Sequence, residues 1–119
     1  MTTSNIRDVV DRYFAAQKAR DFVTMRTLLH DDVIFRGALG TTDNAEDFIS
    51  GLERMTATMT GMERTVMFAD GENVCQIYNL TLATPPVTLP IAQWIKVRDG
   101  RIAQVYVYFD PRPVAPPSA

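Results

Sequence analysis

The sequence predicts an α+β domain whose helices pack on one face of an antiparallel sheet, and three observations carry that prediction. Apolar spacing in the first half reads as two helices, a strand and a helix. Near the end, Asp99-Gly100 separates two runs rich in β-branched and aromatic residues and supplies the positive φ angles of a two-residue type I′ turn. Before it, Asp70-Gly71-Glu72-Asn73 separates two further strand-like runs, giving a second hairpin. Helices segregated from an antiparallel sheet cover one of its faces. Strong curvature would leave a cavity between the layers.

Taken in order, Ile6, Val9, Val10, Tyr13, Phe14 and Gln17 fall at helical spacing opposite Arg7, Asp8, Asp11, Arg12 and Lys18, with Ser4 placed to cap the helix. Asp21 caps a shorter helix that buries Phe22, Met25, Leu28 and Leu29 and ends at His30-Asp31-Asp32. A brief strand, Val33 to Arg36, and a loop, Gly37 to Thr42, lead to Asp43 and Glu46, the spacing of a capping box. Phe48, Ile49, Leu52 and Met55 are the apolar stripe of a third helix that ends between Met55 and Gly61. Strands follow at Arg64 to Ala69 and Val74 to Ala83. Thr84-Pro85-Pro86-Val87-Thr88 then interrupts the sheet, because proline cannot donate to a ladder.

The final hairpin, Pro90 to Asp110, sets which residues face the core. If Asp99-Gly100 is a simple two-residue turn, Arg98 pairs with Arg101, Trp94 with Val105 and Ala92 with Val107. Ala92, Trp94, Val105, Val107 and Phe109 then share the inner face. Gln93, Ile95, Gln104, Tyr106 and Tyr108 share the outer one, and amphipathic residues of that sort suit a subunit interface.

With 119 residues the chain is one domain, residues 1–110, followed by a proline-rich tail at 111–119 expected to be disordered. A net charge of −2 with only two lysines gives no footprint for nucleic acid or an anionic membrane surface. Charged residues interrupt the N-terminus where a signal peptide needs an apolar stretch, and no apolar run could span a bilayer, so the expected location is cytoplasmic. Cys75, mid-strand among apolar neighbours, reads as a buried thiol. No nucleotide, flavin or metal motif is present, and no cofactor is expected.

The opening V-V-D-R-Y-F-A-A-Q-K-A-R-D, the L-L-H-D-D-V-I-F turn and the R-D-G-R-I hairpin, with the element order from Ile6 to Asp110, resemble the nuclear transport factor 2-like superfamily. Ketosteroid isomerase, limonene epoxide hydrolase, scytalone dehydratase and SnoaL-type polyketide cyclases belong to it. The resemblance implies a cone-shaped domain, three helices on the concave face of a curved sheet around an apolar pocket, and dimerisation through the outer face. Carried over residue by residue, the pocket tyrosine of ketosteroid isomerase falls on Tyr13. Its general-base aspartate falls on Gly37 and its protonated aspartate on Ala92. Where the cyclases carry a histidine and an aspartate in the last strand, this chain has Val105 and Val107. Without those groups the reactions themselves are not expected.

Each remaining candidate has two readings. Tyr13 either donates into the pocket or packs in the core, and Trp94 either fills the cavity or walls a ligand site. His30 reads as a helix C-terminal residue rather than a base, and Asp31 and Asp32 as turn residues rather than metal ligands. Arg64 and Asn79, expected to pair across the second hairpin, either bind a polar group or lie exposed. Met55, Met59 and Met62, at helical spacing, fill the core or line an adaptable pocket. The sequence therefore points to a homodimeric domain holding a small apolar molecule between Tyr13, Phe35, Asn79, Ala92, Trp94, Val105, Val107 and Phe109. The alternatives are an isomerase, cyclase, dehydratase or epoxide hydrolase using Tyr13 and non-standard residues, and a non-enzymatic dimeric assembly module.

Overall fold

A computed structural model of the protein describes residues 3–114. The first helix, α1 (Thr3–Lys18), begins a residue ahead of Ser4 and buries Ile6, Val9, Val10, Tyr13 and Gln17. On its exposed side Arg12 pairs with Asp8, one turn earlier, at 3.3 Å. Asp21 caps α2 (Phe22–Thr27), its Oδ1 accepting from the Thr24 amide at 3.1 Å. The cap of α3 (Ala45–Met55) is Asn44 rather than Asp43, with Asn44 Oδ1 accepting from the Asp47 amide at 2.8 Å. The acids of the expected capping box bind arginines instead: Asp43 meets Arg36 at 3.0 Å and Glu46 meets Arg26 at 3.0 Å.

Strands β1 (Leu29–Gly37), β2 (Gly40–Thr42), β3 (Met59–Asp70), β4 (Asn73–Leu82), β5 (Val87–Arg98) and β6 (Arg101–Tyr108) form one six-stranded sheet in the order β2-β1-β6-β5-β4-β3. Only β1 and β6 run parallel; every other pair is antiparallel. The segment expected to be a loop before Thr42 thus contains an edge strand. His30, Asp31 and Asp32 lie in β1 rather than at a helix end, and His30 Nε2 donates to the Arg98 carbonyl at 2.6 Å. Met59 and Met62 belong to β3, since α3 stops at Met55. Pro90 pairs with Asn79 on β4 and lies past Ala92, the last β5 residue paired with β6.

Three single-residue bulges in the antiparallel pairs bend the sheet. Arg98 pairs with Arg101 and Val97 with Ile102, as the turn predicts, but Lys96 then pairs with Gln104, leaving Ala103 as a bulge. In β3, Thr60 and Thr65 are similarly skipped. A bulge adds one residue to one strand, bends it and increases its twist. The bulge at Ala103 also reverses the expected faces of β5. Trp94 pairs with Tyr106 and Ala92 with Tyr108 on the convex side, whereas Gln93 and Ile95 are buried on the concave side opposite Val107 and Val105. The physical preference is plain: the reversed register buries Leu89, Ile91, Ile95 and Val97 together, which a simple hairpin would have left outside.

Buried residues form two clusters. One joins α1, α2 and α3 to β1, β5 and β6 through Val10, Tyr13, Met25, Phe48, Ile95 and Val105. The other joins the far end of the sheet through Met62, Tyr78, Leu80, Leu82, Leu89 and Ile91. Val114 packs against this second cluster, and its amide donates to the Pro111 carbonyl at 2.9 Å. Pro111 to Val114 is therefore a packed turn, while residues 115–119 of the expected tail lie outside those described. None of the described helices is long and apolar enough to cross a membrane.

Candidate functional site

Between the two core clusters lies a cavity of about 500 Å³. Phe35, Phe48 and Leu52 line it from one cluster, and Tyr78, Leu80, Leu82 and Ile91 from the other. Exposed residues at its edge, Leu39, Gly40, Arg54, Thr84 and Pro85, form the mouth. Phe35 and Phe48 stack with centroids 5.0 Å apart. The Phe35 ring has room because residue 37 is glycine: a Cβ there would stand 2.6 Å from its Cζ. On α3, Gly51 also faces the cavity, where a Cβ would meet nothing within 4 Å.

Of the residues expected to line the pocket, Phe35, Val107 and Phe109 do so. Val105 is wholly buried in the first cluster, inward as expected but behind the wall. Ala92 and Trp94 lie on the convex face because of the Ala103 bulge, and Trp94 Nε1 donates to Asn73 Oδ1 at 2.9 Å. Asn79 pairs with Glu63 rather than Arg64, since the bulge at Thr65 shifts that hairpin, and it too lies outside. Cys75, between Phe68 and Trp94 on the convex face, is exposed rather than buried. Tyr13 is fully buried beside the cavity but not on its wall, and its hydroxyl has no hydrogen-bond partner among the described residues.

The wall carries other polar groups, Gln17, Tyr78 and Gln93 among them. Gln76 and Gln93 face each other on adjacent strands, and Gln76 Nε2 donates to Gln93 Oε1 at 2.7 Å. Behind Gln76, Arg64 Nη1 reaches Gln76 Oε1 at 3.4 Å and Asp11 Oδ1 at 2.7 Å, with its guanidinium carbon 5.3 Å from the centre of the Phe14 ring. Gln17 lies near the Tyr78 hydroxyl, and its own Oε1 is buried without a partner among the described residues. Burial pushes the Tyr78 phenol far above its ordinary pKa, outweighing the opposing influence of the Gln17 side chain. Burial likewise raises Tyr13, with Tyr78 adding to the shift. Both hydroxyls stay protonated at neutral pH. A sequence signal for this set exists: Val74, Gln76, Tyr78, Leu80 and Leu82 alternate on β4, as do Leu89, Ile91, Gln93, Ile95 and Val97 on β5, with one glutamine inside each apolar series.

A curved six-stranded sheet enclosing a cavity beneath three helices defines the nuclear transport factor 2-like class. Within that class the chain belongs to the SnoaL-like domain family, which matches residues 10–105. Among solved structures it is similar to a nuclear transport factor 2-like protein from Cytophaga hutchinsonii, at 27% identity and a TM-score of 0.79 over 92% of this chain and 93% of the other. A protein from Kribbella flavida is 26% identical with a TM-score of 0.83, over 89% and 87% of the two chains. An LEH-like epoxide hydrolase from M. tuberculosis shares the fold at 23% identity and a TM-score of 0.79, over 92% and 86%. No curated protein matches the chain.

Proposed function

We propose that this domain binds a small, largely apolar molecule in the cavity between its two core clusters. The observation that carries the reading is the cavity itself, about 500 Å³ bounded mainly by aliphatic and aromatic side chains with a few inward polar groups. That is the usual volume and chemistry of small-molecule sites. The test is an NMR titration with a steroid, a terpenoid and an aromatic polyketide, repeated on Gly51→Phe, whose ring would occupy the cavity. Saturable shifts at Phe35, Ile91 and Val107 that vanish in the variant support the reading; no saturable shift with any compound overturns it.

An isomerase, cyclase, dehydratase or epoxide hydrolase is the alternative, the last being the activity in the M. tuberculosis protein's name. Such chemistry needs a base or a nucleophile near the substrate. The ionisable side chains on this wall are Arg54 and Tyr78, a guanidinium and a protonated phenol, neither of which is a base at neutral pH. The chemistry of the wall therefore favours binding.

We further infer a homodimer formed through the convex face. Phe68, Cys75, Trp94 and Tyr106 stand side by side across four strands, with Ile77, Ala92 and Tyr108 in the next row. Phe68, Ile77 and Tyr108 are 60%, 42% and 55% exposed, a contiguous apolar band of the kind that marks interfaces. Of the residues expected at the interface, Gln104, Tyr106 and Tyr108 lie on the convex face, whereas Gln93 and Ile95 are buried on the concave one. Sedimentation should give a dimer that Phe68→Lys converts to monomer, and a wild-type monomer at high concentration would overturn the inference. Trp94 fluorescence should follow dissociation rather than ligand.

A further inference from the structure

Arg64, Gln76 and Gln93 form a chain whose direction is fixed at its outer end. A carboxamide has a donor end and an acceptor end of nearly equal size, so two facing amides can be reversed together without loss of their mutual bond. Arg64 has only donors, and Asp11 and Phe14 hold its guanidinium against Gln76. Gln76 must therefore turn its carbonyl oxygen to Arg64 and its N–H to Gln93. Gln93 receives that N–H on Oε1 at 2.7 Å, which leaves its own Nε2 toward the cavity it lines. No hydrogen bond within the described residues takes up that nitrogen. Gln76 and Gln93 are 1% and 3% exposed, so their mutual bond is shielded from bulk water.

Tyr78 supplies a second donor. It lies two residues from Gln76 on β4 and pairs with Ile91, two residues from Gln93 on β5, so it shares their face and adjoins both. The phenol lies on the cavity wall, where its hydroxyl is available to a ligand.

We propose that the cavity selects molecules bearing a neutral acceptor oxygen, such as a ketone or ester carbonyl, received jointly by Gln93 Nε2 and the Tyr78 hydroxyl. The ion pair of Asp11 with Arg64, acting through Gln76, keeps the Gln93 amide turned donor-inward. This rests on the binding reading above and adds to it the class of ligand and three positioning residues, Asp11, Arg64 and Gln76, that touch no ligand.

The test uses 2-acetylnaphthalene and 2-isopropenylnaphthalene, which share a shape and differ in a carbonyl oxygen. Calorimetric titration of the wild-type protein should show the ketone binding about tenfold more tightly, the contribution of roughly one to two buried hydrogen bonds. Gln93→Leu combined with Tyr78→Phe should reduce that ratio to near one. Arg64→Met should lower the ratio to about threefold or less while leaving the hydrocarbon's affinity unchanged; a merely structural role would weaken both compounds alike. Asp11→Asn, at a half-exposed carboxylate, makes the same test should Arg64→Met fail to fold. Equal wild-type affinities, abolished together by Gly51→Phe, would overturn the proposal and leave the binding reading intact. Binding of neither compound would overturn both. An unchanged ratio in Arg64→Met and Asp11→Asn would overturn the positioning roles.

Discussion

The ring of Phe35 folds so closely over Gly37 that a methyl group on that α-carbon would stand 2.6 Å from the ring's far edge. Two residues of one strand thereby set the shape of the cavity wall, since both line it and the same ring stacks on Phe48. Gly37→Ala should push the ring off Phe48 and cost about 1–2 kcal/mol, the usual range for overpacking. Urea denaturation measures the cost, and the aromatic NMR shifts of Phe48 report the displacement. An unchanged midpoint with unchanged shifts would refute the relationship.

Gly51 makes the opposite case. It lies within α3 at ordinary helical geometry with open space where a side chain would go. Gly51→Ala should stabilise the domain by about 0.5–1 kcal/mol through the backbone freedom that glycine loses on folding. The urea midpoint should rise at constant m-value. A fall would mean that the space at this position is not open.

Tyr13 carries a buried hydroxyl without a partner among the described residues. Removing an unsatisfied buried polar atom while keeping the ring should be neutral or favourable by up to about 1 kcal/mol. Tyr13→Phe is therefore expected to match or exceed the wild type in thermal stability and to bind cavity ligands unchanged. A loss of more than about 1 kcal/mol would show that the hydroxyl is engaged.

The two buried tyrosines also fix the alkaline limit of stability. Burial raises both phenols above the ordinary value of 10.0. Below that pH both the folded and the unfolded chain keep the protons, and these groups add no pH dependence. Above it the unfolded chain releases protons that the folded chain retains, so unfolding gains. Each tyrosine should contribute a decline approaching about 1.4 kcal/mol per pH unit. Urea midpoints between about pH 9 and 12 should fall steeply above 10, and Tyr78→Phe should remove about half of this contribution. Equal slopes in variant and wild type would contradict the shift.

The element order and both hairpins were legible in the sequence for local reasons. Asp99 and Gly100 have φ of 53° and 77°, the left-handed pair that the Asp-Gly signal demands, and Asp70 pairs with Asn73 as the second turn requires. The site was less legible because a single residue, Ala103, carries no local mark of a bulge. Skipping it exchanged the two faces of β5, moving Ala92 and Trp94 outside and Gln93 in. The glutamine within each apolar series was visible, but its meaning depends on Arg64 arriving from β3 and Asp11 from α1. Such convergence is tertiary and leaves no spacing to read.

The last strand of the domain in chain order is placed inside the sheet, not at its edge. β6 lies between β1 and β5, and the Ile102 amide bonds back to the Leu28 carbonyl at 2.8 Å. As the chain emerges from the ribosome, β1 and β5 must both wait for β6 with an open row of backbone donors and acceptors. Such rows are templates for pairing with other chains. A released chain ending at the Asp99-Gly100 turn would hold two of them at once. The interval before β6 docks is thus the one in which both inner strand edges stand open to other chains.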